Sequence, residues 1–120
     1  IKGLDRVVAI TDSIMAAGLP DGNYKLGVND VVVVDGDAKL ATDGTRAGST
    51  LTTGKALKNL LEFTGRSLTD IIPMLTENPA RLIGVYDRVG SIEPGKDADL
   101  VFLDEGCNVV RTFVKGKECY

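Results

Sequence analysis

Hydrophobic and polar positions change their period repeatedly along the chain, and each change marks a different element. Arg6-Val7-Val8-Ala9-Ile10 is a short, nearly continuous apolar run, the pattern of a strand buried on both faces of a parallel sheet. Polar Thr11-Asp12-Ser13 follows at once. A loop marked by Gly18, Pro20 and Asp21-Gly22 comes next, and then the pattern turns β. Tyr24 to Leu26 reads as a short strand and Val31 to Val34 as a β-branched run. Asp35-Gly36-Asp37 supplies hairpin-turn chemistry before Ala38 to Ala41 returns. A second turn, Asp43-Gly44, leads into Thr45-Arg46-Ala47-Gly48-Ser49-Thr50.

From Leu51 the period becomes helical. Leu57, Leu60, Leu61 and Thr64 fall on one stripe, and Gly65 is a natural stop. Ser67, with Asp70 three residues on, forms a near capping box for a second helix whose apolar face is Ile71, Ile72 and Leu75. Pro73 lies beyond the first turn and is expected to kink or delay that helix. Asn78-Pro79 predicts a restart, with Asn78 as cap and Pro79 at the first helical position, ending at Gly84. The tail is β again: a turn at Ile92-Glu93-Pro94-Gly95, strands over Asp99 to Leu103 and Asn108 to Val114, and a tight turn at Lys115-Gly116.

The order is α/β, with an odd start. A parallel-sheet strand needs neighbours, and no βα unit precedes Arg6 to provide them. The expectation is that the chain is part of something longer.

Composition narrows the function classes. A hydrophobic fraction of 43% supports a core and argues against disorder. A net charge of −3 and scarce aromatics argue against a nucleic-acid surface. No apolar run reaches the roughly 18 residues of a membrane span, and no signal-peptide pattern is visible. Cys107 and Cys119 are expected to be free thiols. There is no histidine. Histidine is the commonest metal ligand and general base, so three readings remain: no enzyme, a carboxylate-based enzyme, or one piece of a larger enzyme.

Asp12 is the sharpest candidate for chemistry. A carboxylate just past a buried strand sits where α/β folds place active sites, and it can move protons or bind a metal. A capping or turn aspartate is the plain alternative. Gly44 to Thr52 is rich in small and hydroxyl residues and runs into a helix, so its N–H groups could meet a ligand oxygen or phosphate; a β-to-helix connection capped by Ser49 or Thr50 is the favoured reading on spacing alone, because caps are far commoner than anion sites. Gly90 to Val101 contains Gly95-Lys96, but Asp97 follows the lysine and the strand–loop–helix context of a P-loop is missing, so it reads as a turn. Cys107 and Cys119 have no histidine to activate them as nucleophiles.

Several of these segments together resemble the N-acetylglucosamine-6-phosphate deacetylases of the amidohydrolase superfamily. Val8-Ala9-Ile10-Thr11-Asp12-Ser13-Ile14-Met15-Ala16-Ala17-Gly18 is similar to their catalytic-aspartate segment. Asp43-Gly44-Thr45-Arg46-Ala47-Gly48-Ser49 is similar to their D-G-T-x-A-G-S segment. Asn78-Pro79-Ala80-Arg81 and Gly90 to Val101 match patterns shared across the superfamily, while the first two segments point to the sugar-phosphate deacetylases. Pro73 and Arg46 depart from the usual residues, a helix former and often Leu respectively.

The resemblance implies a fold: the last strand and helices of a (β/α)8 barrel, a β-hairpin, and the C-terminal strands of a small β-sandwich. Residues 1–90 would belong to the barrel, with a hairpin over 23–41 inserted beside the active site, and 91–120 to the sandwich. Arg6 to Asp12 would be the last barrel strand. Asp12 would take a proton from metal-bound water and pass it to the leaving amine, and could be a second-site metal ligand. Arg46, Ala47, Gly48 and Ser49 would line the sugar-phosphate pocket. The intact protein would use a divalent metal, zinc or iron, whose main ligands match no position here, so this chain alone is expected to be inactive and to bind no catalytic zinc tightly. The substrate would be an amino-sugar phosphate, the location cytoplasmic, and the assembly a homo-oligomer, with no nucleic-acid or membrane partner. A dihydroorotase- or deaminase-like amidohydrolase and a non-catalytic β-rich binding or assembly module are the alternatives.

Overall fold

The computed structural model describes residues 3–120. They divide into two compact units. One is Ile10–Ala56; the other joins the N-terminal residues up to Ala9 with Leu57–Tyr120.

In the first unit, β1 (Gly22–Leu26), β2 (Asn29–Val34) and β3 (Asp37–Leu40) form an antiparallel meander. The register pairs Tyr24 with Val31 and Val33 with Ala38. Alternation decides what is buried. Val31, Val33 and Ala38 face inward and are at most 2% exposed, while Val34 points to solvent. Each inward valine contributes about 1.5–3 kcal/mol relative to exposure. Asp35 (φ 51°) and Gly36 (φ 73°) make the two-residue turn that the Asp-Gly sequence announces. Asp21 accepts the N–H groups of both. Ala16 and Ala47 complete the core, with Ile14, Tyr24, Leu26 and Leu40 packed around it. The expected hairpin is thus a three-stranded sheet with its own small core.

The second unit contains most of α1 (Thr53–Thr64), α2 (Leu68–Leu75), α3 (Glu77–Leu82) and the antiparallel sheet β4 (Leu100–Leu103), β5 (Val109–Val114), β6 (Lys117–Glu118). Its core is Leu57, Ile71 and Met74, joined by Leu60, Leu61, Val7 and Ala9 among others. Gly65, at φ 63°, ends α1. Ser67 and Asp70 form the full capping box, each side chain bonded to the other's N–H. Lys115 (φ 49°) and Gly116 (φ 77°) turn β5 into β6. Both cysteines are free thiols. Gly95-Lys96 lies in a structural turn, where the Tyr86 ring is held between Arg81 and Lys96, each 3.5 Å from its centroid.

Three local expectations are corrected. Arg6 to Ile10 is not a strand: Leu4–Arg6 is a 3-10 turn, Val7 is extended, and Val7 to Asp12 joins no named strand. A strand is defined by its neighbours, and among the described residues no named strand pairs with this segment, which leaves Ile10 at 76% exposure. Pro73 does not delay α2, which forms through it from Leu68 and stops at Leu75. The proline withholds an N–H, and Thr76 closes the end by donating to the Pro73 carbonyl at 3.4 Å. Asn78 does not cap α3, which starts one residue earlier at Glu77. Its buried side-chain amide donates instead to the Leu4 and Val7 carbonyls, both at 2.7 Å. Those carbonyls have no ladder to enter, and satisfying them outweighs a cap.

Candidate functional site

Asp12 follows the apolar run and takes φ 50°, the left-handed region. For an aspartate this costs about 1 kcal/mol, so neighbouring contacts must hold it there. They come from the segment 46–51, which lies beside it. Ser13 and Ser49 form an isolated parallel bridge. The Ser49 N–H donates to the Asp12 carbonyl at 2.8 Å, and the Ile14 N–H donates to the Ser49 carbonyl at 2.9 Å. The Ser49 hydroxyl donates to the Thr11 carbonyl and accepts the Leu51 N–H at 3.2 Å. The Ser13 hydroxyl reaches the Leu51 carbonyl and lies 2.7 Å from Thr11 Oγ1. A hydroxyl carries one proton, so the Leu51 carbonyl and Thr11 Oγ1 are alternative acceptors for it.

Gly48 sits against this turn at φ 66°. A Cβ there would lie 2.7 Å from Ile14 Cγ2, 2.9 Å from the Asp12 carbonyl oxygen and 3.8 Å from Asp12 Oδ2. Only glycine fits, because a side chain would run into Ile14 and the Asp12 carbonyl and φ lies in the left-handed region. Asp12 itself is exposed, and its carboxylate accepts no hydrogen bond from the described residues. It is free to take a proton or an external partner.

The other site candidates are placed differently. Ala47 is 5% exposed, with its methyl in the meander core and its N–H donating to the Ala38 carbonyl at 2.9 Å. Arg46 is exposed and pairs with Asp37 at 3.2 Å. The Lys39 hydrogen bond and the Arg46 charge hold the Asp37 carboxyl below its usual range. The structure therefore brings Asp12, Gly48 and Ser49 together and puts Arg46 and Ala47 on the flanks. Thr11 and Ser13, which flank Asp12 in its motif segment without being singled out there, join the site; their hydroxyls on either side of Asp12 are the sequence signal.

Among the described residues, no three His, Cys, Asp or Glu side chains gather as metal ligands. Asp12 supplies one carboxylate, whereas a zinc ion takes about four ligands. These residues do not by themselves fit a catalytic metal; Asp12 could contribute only its one carboxylate to a metal held elsewhere. No helix among them is long and apolar enough to cross a membrane.

The chain is similar to known proteins over nearly its whole length. The N-acetylglucosamine-6-phosphate deacetylase of Bacillus subtilis (strain 168) is 44% identical over 96% of the chain. The putative N-acetylgalactosamine-6-phosphate deacetylase of Escherichia coli (strain K12) is 41% identical over 94% of it. The chain spans 29% of the first relative's length and 67% of the second's. A crystal structure of N-acetylglucosamine-6-phosphate deacetylase from Thermotoga maritima superposes with a TM-score of 0.88 at 45% identity, over 98% of the chain and 32% of that protein. The profile of the amidohydrolase family matches residues 17–119. On the strength of that match, which covers most of the chain, the protein belongs to the amidohydrolase family.

Proposed function

We propose that the intact protein hydrolyses the acetamide of N-acetylglucosamine 6-phosphate to glucosamine 6-phosphate and acetate. The observation that carries this reading is the unpartnered Asp12 carboxylate, held beside Gly48 in a chain 44–45% identical to deacetylases of that name. Water adds to the amide carbonyl and the C–N bond breaks. Asp12 accepts a proton as water attacks and delivers it to the leaving nitrogen, so the amine departs neutral. The amidohydrolase family generally uses a divalent metal, which supplies Lewis-acid activation when bound. Zinc or iron is the proposed ion, held by residues outside this chain.

Segment 46–49 is proposed as a wall of the sugar-phosphate pocket, with Gly48 letting it pack closely against Asp12 and Arg46 offering positive charge. Residues 1–90, with 23–41 inserted, are proposed as barrel and 91–120 as part of a sandwich, in line with the close superposition on a deacetylase. A sugar phosphate is charged and crosses membranes poorly, which supports a cytoplasmic location. The exposed apolar residues of β4 and β5 support association into a homo-oligomer.

Acetate release from N-acetylglucosamine 6-phosphate by the metal-loaded intact protein tests the reading. No release would overturn it. A second substrate, N-acetylgalactosamine 6-phosphate, is favoured by the name of the 41% identical relative. Assaying both epimers side by side decides between them.

A further inference from the structure

Two serine hydroxyls cross between the segments on either side of Asp12, and they do so reciprocally. Ser49 gives its proton to the Thr11 carbonyl, just before Asp12. Ser13, just after Asp12, gives its own to the Leu51 carbonyl. Between them runs one pair of backbone bonds, Ser49 N–H to Asp12 and Ile14 N–H to Ser49. The Ser49 hydroxyl also accepts the Leu51 N–H, so its proton and one lone pair are engaged with backbone. Resting on the proposed proton-transfer role of Asp12, we infer that Ser13 and Ser49 are positioning residues, a double hydroxyl clamp that locks Asp12 in its left-handed turn and aims its carboxylate beside Gly48. This gives Ser49 a different duty from direct substrate contact.

The clamp changes neither charge nor the carboxylate itself. It narrows the range of Asp12 backbone angles. Proton transfer is steep in geometry, so a loosened aspartate loses rate. Substrate binding, made by other groups, is spared. The signature is a fall in kcat per folded enzyme with KM unchanged, which loss of a substrate contact does not give, and an unfolding midpoint close to the parent's separates it from loss of folded protein.

The test is steady-state kinetics of the intact protein with N-acetylglucosamine 6-phosphate, comparing Ser13→Ala, Ser49→Ala, the double variant, Ser13→Thr and Asp12→Asn. Each alanine is expected to lower kcat about tenfold and the pair about a hundredfold, with KM within about twofold. Ser13→Thr keeps the hydroxyl and is expected to restore kcat. Ser13 is exposed, so Ser13→Ala decides the matter even if Ser49→Ala folds poorly. Wild-type kcat in Ser13→Ala alongside a dead Asp12→Asn overturns the clamp and leaves the Asp12 reading standing. A raised KM with unchanged kcat in Ser49→Ala makes Ser49 a substrate contact and also overturns it. Full activity in Asp12→Asn removes the proposed function itself.

Discussion

The two antiparallel sheets have the same number of strands and similar tight turns, yet they differ in what covers them. In β1–β3, Val31, Val33 and Ala38 are almost wholly shielded, and Ala16 and Ala47 lie over them. In β4–β6 no residue is fully buried; Val101 is 58% exposed, Val110 48% and Val114 50%. Turn chemistry and alternation fold either sheet locally, but the meander places fully buried residues in its unit's core, whereas β4 meets the core of its unit through the half-buried Leu103. The meander core is tied to the site. Ala47 adjoins Gly48, and Ala16 lies four residues past Asp12, so the bridge between Ser13 and Ser49 fixes both the lid of the core and the candidate catalytic turn. In this half of the protein, stability and site geometry are set by the same contacts.

Gly48→Ala should strike both at once, with the largest effect. The new methyl meets Ile14 and the Asp12 carbonyl, and φ 66° disfavours it. Destabilisation of about 3 kcal/mol is expected by denaturant titration. Val31→Ala should cost about 2–3 kcal/mol, whereas Val101→Ala in β4 should cost under about 1 kcal/mol. Equal costs would break the comparison. Asn78→Ala strands the Val7 carbonyl and leaves the Leu4 carbonyl with the Val7 N–H alone, and should cost about 2 kcal/mol, chiefly by loosening the segment up to Ala9, visible as faster amide exchange there.

The smallest effect is acid sensitivity. The Arg111 hydrogen bond holds the Glu118 carboxyl below its usual range, as Lys39 and Arg46 do for Asp37. A lowered folded-state value stabilises above the ordinary carboxylate range, and the gain is lost as pH falls through the folded value. Both pairs are exposed, so the slope of unfolding midpoint between neutral and acid pH should be shallow. Glu118→Gln should flatten it slightly further.

Much of the fold was legible because its signals are local. The meander turns, the α1 stripe, the Gly65 stop and the Ser67–Asp70 box each lie within a few residues of the element they define. What was not legible is long-range. Whether Val7 to Asp12 pairs as a strand depends on neighbours far along or outside the chain. Asn78 carries a cap's chemistry, yet its amide serves carbonyls more than seventy residues away. The site followed the same divide. Asp12 stood out by its place after the apolar run and by motif resemblance, and Gly48 by resemblance, while the Ser13–Leu51 and Ser49–Thr11 cross-links depend on two segments lying side by side, which no spacing reveals.

The most direct measurement is turnover of N-acetylglucosamine 6-phosphate by the intact protein with Asp12 replaced by Asn. The side chain keeps its size and loses its base. Turnover should fall by about a hundred- to ten-thousandfold, with KM and unfolding temperature close to the parent. Turnover within about threefold of the parent would contradict a proton-carrying role for Asp12.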